Sequence, residues 1–229
     1  MQPNYISPAP WSLNGNGIVL LYKFPASFIE EYGFLEDFQK RGYKAGIGAV
    51  IMMDYKSSGV GPYRELLFLP GLIQAEGSLG FTVSKIYVST YDSARSGKRN
   101  WGIPKELADF KIEKQPDGSC NWKVKKEGNT FFEATVKQGK IPIPFTSRIL
   151  PLTRIIQKGS KHLLLTKPAV SGKANFASLQ KIYAEQDSFP PVQQLKPLAT
   201  LTLQKFLMKF PVALQLGAPL NTRTPFAFG

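Results

Sequence analysis

Two short segments hold residues able to do carbonyl chemistry as a pair. The first is Ser58-Gly59-Val60-Gly61-Pro62-Tyr63-Arg64-Glu65, a glycine-bearing loop that runs into an apolar stretch. The second is Gly97-Lys98-Arg99-Asn100-Trp101-Gly102-Ile103-Pro104-Lys105-Glu106-Leu107. A lysine amine attacks a ketone only when neutral, and an ordinary lysine, with a pKa of about 10.4, is almost wholly protonated at neutral pH. Burial or a neighbouring cation disfavours the ammonium form. The neutral amine adds to a carbonyl, loses water and leaves an iminium. That iminium accepts the electrons released by loss of CO2 or of an α-proton, while a nearby carboxyl group moves the protons. Taken singly, Lys105 reads as a surface lysine after a proline turn, and Glu65 as a strand-end acid beside Arg64.

Short strands must position these segments. Residues 1–17 are rich in Pro, Asn and Gly and read as an arm ending in a turn. Ile18 to Phe24 reads as a buried strand. Pro25-Ala26-Ser27 opens an amphipathic helix with Phe28, Ile29, Tyr32, Leu35 and Phe38 on one stripe and Gly42 at its end. Ala45 to Tyr55 is the next strand. Tyr63 to Leu69, closed by Pro70-Gly71, carries Glu65. Phe81 to Tyr91 has a β composition, and residues 92–104 are polar, glycine-bearing and assigned no element. Phe110 to Lys114, Asn121 to Glu127 and Thr130 to Lys137 read as a meander with turns at Pro116-Asp117-Gly118 and Gly128-Asn129. Residues 141–160 are broken by prolines and unassigned. Lys161 to Thr166 is a short strand, Phe176 to Gln186 fits helix or strand, and Pro190-Pro191 marks a loop. Leu198 to Leu216 holds one or two further strands. No repeat or composition break divides the chain, so residues 1–229 read as one mostly β domain, a barrel or a two-layer sheet.

Composition removes several classes of function. One cysteine, Cys120, excludes an internal disulfide and suits a reducing, cytoplasmic location. No apolar run approaches the roughly 18 residues of a membrane span. A single histidine, His162, excludes a multi-histidine metal site, and its place beside an apolar run gives it a structural role. No phosphate-binding glycine loop is present. The formal net charge of +13 attracts anions, but the lysines and arginines are scattered and carry no nucleic-acid signature, so no nucleic-acid partner is expected.

In order and separation, the two segments resemble those of the acetoacetate decarboxylase family over roughly residues 11–115. The resemblance implies a largely antiparallel, β-barrel-like fold with a few helices, a homo-oligomer and no external cofactor. It places the Schiff-base lysine at Lys105 and a catalytic-site glutamate at Glu65, with Ile103 at an aromatic position of the family pattern. It implies a carbon–carbon lyase acting on a small carbonyl substrate, a 3-oxo acid or related ketone. Both residues are then expected to face one interior pocket. Tyr63 and Trp101 are candidate pocket walls, and Arg64 and Arg99 candidate partners for a substrate carboxylate; no metal is expected.

The chain departs from the family pattern twice. Glu106 replaces a second lysine after Lys105, and a carboxylate facing Lys105 would stabilise its ammonium form; in extended backbone the two side chains point to opposite faces. Aligned on Tyr22, Gly15 stands where the family has an arginine near the substrate carboxylate. Both departures argue against acetoacetate itself and keep aldol-type or dehydration chemistry open. A non-catalytic small-molecule-binding barrel, with Lys105 pointing away from a pocket, and a basic module for nucleic acid or an anionic membrane are the rival readings.

Overall fold

The computed structural model describes residues 6–44, 46–147 and 153–218. Its frame is a ten-stranded sheet. In chain order the strands are β1 (Trp11–Lys23), β3 (Ile47–Ser57), β4 (Tyr63–Leu69), β7 (Lys85–Val88), β8 (Glu106–Leu107), β9 (Asp109–Lys114), β10 (Ser119–Lys126), β11 (Asn129–Thr146), β14 (Ala169–Ala184) and β15 (Ala199–Phe210). They lie side by side as β8-β7-β4-β3-β1-β15-β14-β11-β10-β9. All ladders are antiparallel except β7 with β8. The sheet curls into a nearly closed barrel. A second sheet, β16-β13-β12-β6-β5-β2, is built from β2 (Tyr43–Lys44), β5 (Leu72–Ala75), β6 (Ser78–Phe81), β12 (Ile155–Lys158), β13 (Leu163–Thr166) and β16 (Leu214–Leu216).

Alternation along the strands builds two cores, one on each face of the large sheet. Leu20, Tyr22, Val50, Met52, Leu66 and Phe68 meet Trp122, Val124 and Phe132 from the far end of the sheet and fill the barrel. Their neighbours on the opposite face, among them Met53, Tyr55, Tyr63, Leu67 and Val88, pack on Trp11, Trp101 and Phe206. These side chains fill the barrel interior, and the pocket expected inside it lies instead on the opposite face of the sheet.

The expected long first helix is two helices, α1 (Ala26–Tyr32) and α2 (Asp37–Gly42). The break falls at Gly33 and Phe34, whose φ of 50° is left-handed. A capping box at Glu36 and Gln39 starts α2 afresh. The arm expected over residues 1–17 is strand from Trp11 onward, with a bulge between Gly15 and Gly17; residues 1–5 lie outside the described residues. Residues 92–104, assigned no element from sequence, contain a third helix, α3 (Tyr91–Trp101). Phe176 to Gln186, open between helix and strand, belongs largely to β14. Among the described residues no helix is long and apolar enough to cross a membrane.

Candidate active site

Lys105 stands just before β8, at the end of a segment that descends from α3. Thr90 caps α3, its side chain accepting from the Ser93 N–H at 3.4 Å. At the other end Gly102 adopts φ 68°, a left-handed conformation that suits glycine. The Gly102 N–H donates to Lys98 O at 3.1 Å and the Ile103 N–H to Gly97 O at 3.4 Å, which ends the helix. The face of α3 turned to the sheet consists of Ser93, Ser96, Gly97 and Trp101. Gly97 makes room for the lysine: a Cβ there would sit 2.8 Å from Lys105 Cδ and Cε.

Glu65 comes from β4, two strands away. It pairs with Val88 on β7, which in turn pairs with Leu107 on β8. Strand alternation turns Glu65 to the outer face, opposite Leu66, and there it meets Lys105 at 2.8 Å. The lysine and glutamate side chains are only 4% and 6% exposed. Lys105 Nζ also donates to Ser93 Oγ at 3.2 Å and to Tyr63 Oη at 3.5 Å. Tyr55 and Tyr63 donate to the two carboxylate oxygens of Glu65 at 3.3 and 3.5 Å. Burial, and then the Glu65 charge, raises both phenols well above the ordinary tyrosine value, so they are neutral donors.

Lys105, Glu65, Tyr55 and Tyr63 border a cavity of about 30 Å³. Its remaining walls are Trp11, Leu13, Trp101, Ile103 and Phe210. Trp101 stacks edge-on against Trp11 at 5.0 Å and against Phe210 at 4.7 Å, and its indole N–H donates to Pro211 O at 2.7 Å. The site is thus an ion pair with three hydroxyls under an aromatic cover.

The structure brings together Lys105, Glu65, Tyr63 and Trp101. It does not bring Arg64 or Arg99 to them. Arg64, next to Glu65 on its strand, bonds Asp54 and the Phe110 carbonyl, both at 3.3 Å. Arg99 lies on the exposed side of α3, in a different groove. Glu106 also points away: it pairs with Lys85 at 2.6 Å and Lys126 at 3.0 Å. Burial alone would raise the Glu106 carboxyl, but the bonds from the two lysines outweigh it and hold it below the usual carboxylate range. Gly15 has no room for the family's arginine. A Cβ there would lie 2.3 Å from the Asp54 carbonyl oxygen, a clash with the β3 backbone. Sequence reasoning missed Tyr55, Ser93, Trp11 and Phe210. The only signal for Ser93 was its place at the start of a helix that the sequence did not reveal.

A nearly closed, largely antiparallel barrel of this kind is a fold shared with several solved structures. Acetoacetate decarboxylase from Legionella pneumophila superposes with a TM-score of 0.72 at 14% identity, over 96% of this chain and 93% of that one. An acetoacetate decarboxylase-like enzyme from Sphingomonas wittichii RW1 gives 0.67 at 12%, over 93% and 95%. The enduracididine biosynthesis enzyme MppR gives 0.66 at 14%, over 94% and 91%. No curated protein sequence resembles the chain closely enough to count as a relative. The acetoacetate decarboxylase family profile matches residues 5–150, and the chain belongs to that family.

Proposed function

We propose that the chain is a cofactor-independent enzyme that forms a Schiff base between Lys105 Nζ and the carbonyl carbon of a 3-oxo acid or related ketone. The observation that carries this reading is the buried Lys105 amine held 2.8 Å from the Glu65 carboxylate beside an otherwise apolar, aromatic cavity. Moving one proton along that hydrogen bond turns the ion pair into a neutral amine and a carboxylic acid. The amine adds to the carbonyl carbon as the C=O electrons shift to oxygen. Glu65 relays protons from nitrogen to that oxygen, which leaves as water. The net change is ammonium plus ketone to protonated imine plus water, with Glu65 again a carboxylate. Loss of CO2 from a 3-oxo acid then sends the C–C electron pair into the iminium. The enamine is reprotonated on carbon, and water releases the product and Lys105. Tyr55 and Tyr63 hold the carboxylate in place. A cavity of about 30 Å³ is far below the roughly 300–1,000 Å³ of small-molecule sites, so a ketone is admitted only when the Trp11–Trp101–Phe210 cover shifts.

A second reading, aldol-type or dehydration chemistry on the same iminium, is favoured by the cavity's charges. Among the described residues, its lining holds Lys105 and Glu65, already paired, and no other cation for a substrate carboxylate. MppR, of the same fold, has been seen with the condensation product of pyruvate and imidazole 4-carboxaldehyde.

The test is borohydride trapping with a panel of 3-oxo acids, methyl ketones and enals, followed by digestion and mass spectrometry. A secondary amine should form at Lys105 ahead of the solvated lysines and disappear in Lys105→Arg, because a guanidinium stays protonated. Ranking the panel separates the two readings. Labelling spread evenly over surface lysines and unchanged in Lys105→Arg would make the protein a binding barrel without catalysis.

A further inference from the structure

Arg99 belongs to a second cavity that the carbonyl chemistry does not use. It is a groove of about 710 Å³ beside the C-terminal turn of α3. One wall supplies Lys98 and Arg99, and the β12–β13 turn opposite supplies Lys158 and Lys161. All four are exposed, and among the described residues no ion pair engages any of them. The acid on the groove, Glu36, is occupied in capping α2. His162 also lines the groove, and its Nδ1 is buried without a hydrogen-bond partner. Four like charges around one cavity repel one another and gain from sharing an anion.

The groove is built rather than incidental. The β12–β13 turn is pinned by the Gly159 N–H donating to His162 O at 2.9 Å. It presses directly on the helix cap, since a Cβ at Gly102 would stand 2.4 Å from the Lys158 carbonyl oxygen. The connecting segment is a wall one residue thick. Trp101, Ile103 and Lys105 line the small cavity, while Gly102 and Pro104 line the groove.

We infer that this groove binds a small organic phosphate, at a site separate from the Lys105 cavity. A volume of this size lies within the roughly 300–1,000 Å³ of small-molecule sites. Arg99 offers a planar fork that matches phosphate oxygens, and the lysines supply point charges around it.

Magnesium-free ATP is the probe, titrated calorimetrically at low ionic strength. One saturable site per chain is expected, weakening as salt is added. The double variant Arg99→Gln/Lys161→Gln, one residue from each wall, should weaken binding by about tenfold or more. A control, Lys173→Gln/Lys209→Gln, removes equal charge from exposed positions on β14 and β15 and should change binding by less than about twofold. Circular dichroism melts check that both variants fold. Absence of saturable binding, or equal weakening by the two double variants, overturns the site. A single-stranded oligonucleotide that binds more tightly than ATP and is weakened equally by both variants also overturns it, by making the basic surface one diffuse polyanion face.

Discussion

Lys105 and Glu65 hold each other's charge where water does not reach, so neither can be altered alone without consequence. Removing one partner of such a pair leaves a buried charge uncompensated, at a cost of about 3–5 kcal/mol. Glu65→Gln is therefore expected to destabilise the protein by that order in urea unfolding. It should also slow adduct formation at Lys105 by about a hundredfold or more, since no proton relay remains. Glu65→Gln/Lys105→Met removes both charges and should recover much of the stability with no adduct at all. Recovery in the double variant assigns the loss to the stranded charge; a double variant as unstable as the single one would assign it to packing. The two residues were legible in sequence because each sits in a short segment of distinctive order. Their surroundings were not. Tyr55 reaches Glu65 across β3 and β4, and Ser93 reaches Lys105 from a helix, so both depend on how elements pack. Gly15 was legible as a departure, whereas its cause, contact with the Asp54 carbonyl, appears only in three dimensions.

At the scale of elements, α3 decides where Lys105 stands. Its buried face is made of small and polar side chains at 93, 96 and 97, with Trp101 alone supplying apolar bulk. An apolar stripe is what reveals a helix in sequence, and α3 has none; its end signals, Thr90 before and Gly102 after, were present but unsupported. The small face has a use, because it lets the lysine stem lie against the helix at Gly97. Gly97→Ala should consequently separate fold from function. Alanine favours a helix by about 1 kcal/mol over glycine, which offsets local crowding and leaves the melting temperature nearly unchanged. The new Cβ, however, would stand 2.8 Å from Lys105 Cδ and Cε and must push the stem aside. A displacement of that kind is expected to slow Schiff-base trapping by about tenfold or more. A variant that traps at the native rate would show that the stem has slack and that α3 does not set the position of the amine. The broken α1–α2 unit carries a related lesson: its apolar stripe continued past Gly33, but the left-handed Phe34 ended the helix.

For the whole molecule, the strands of the first half and the meander were legible because alternation and turn residues are local. The order of the sheet was not. β1 lies between β3 and β15, a pairing of distant segments that no local pattern encodes. Nor could sequence distinguish the two faces of the barrel, which is why the site was expected inside it. Those faces bury tyrosines whose hydroxyls resist ionisation. Burial raises Tyr22 and Tyr87, and burial with the Glu65 charge raises Tyr55 and Tyr63. Unfolded tyrosines ionise near pH 10, roughly. The folded chain therefore holds these protons to higher pH than the unfolded chain, and their contribution to stability is full below about pH 10 and lost as pH rises above it. Ultraviolet absorbance follows the ionisation of the nine tyrosines. Tyr22, Tyr55, Tyr63 and Tyr87 should ionise only in a late cooperative step that coincides with loss of near-ultraviolet circular dichroism. Tyr22 sharpens the test, because its hydroxyl is buried without a partner, whereas Tyr87 donates to Ser188 O at 2.8 Å. Tyr22→Phe removes an unsatisfied polar group worth about 1 kcal/mol or more, so it should move the alkaline transition upward and take one tyrosinate out of the late step. Titration of all nine phenols near pH 10 with the circular dichroism unchanged would show that these cores admit water and charge, against the packing described for both faces of the sheet.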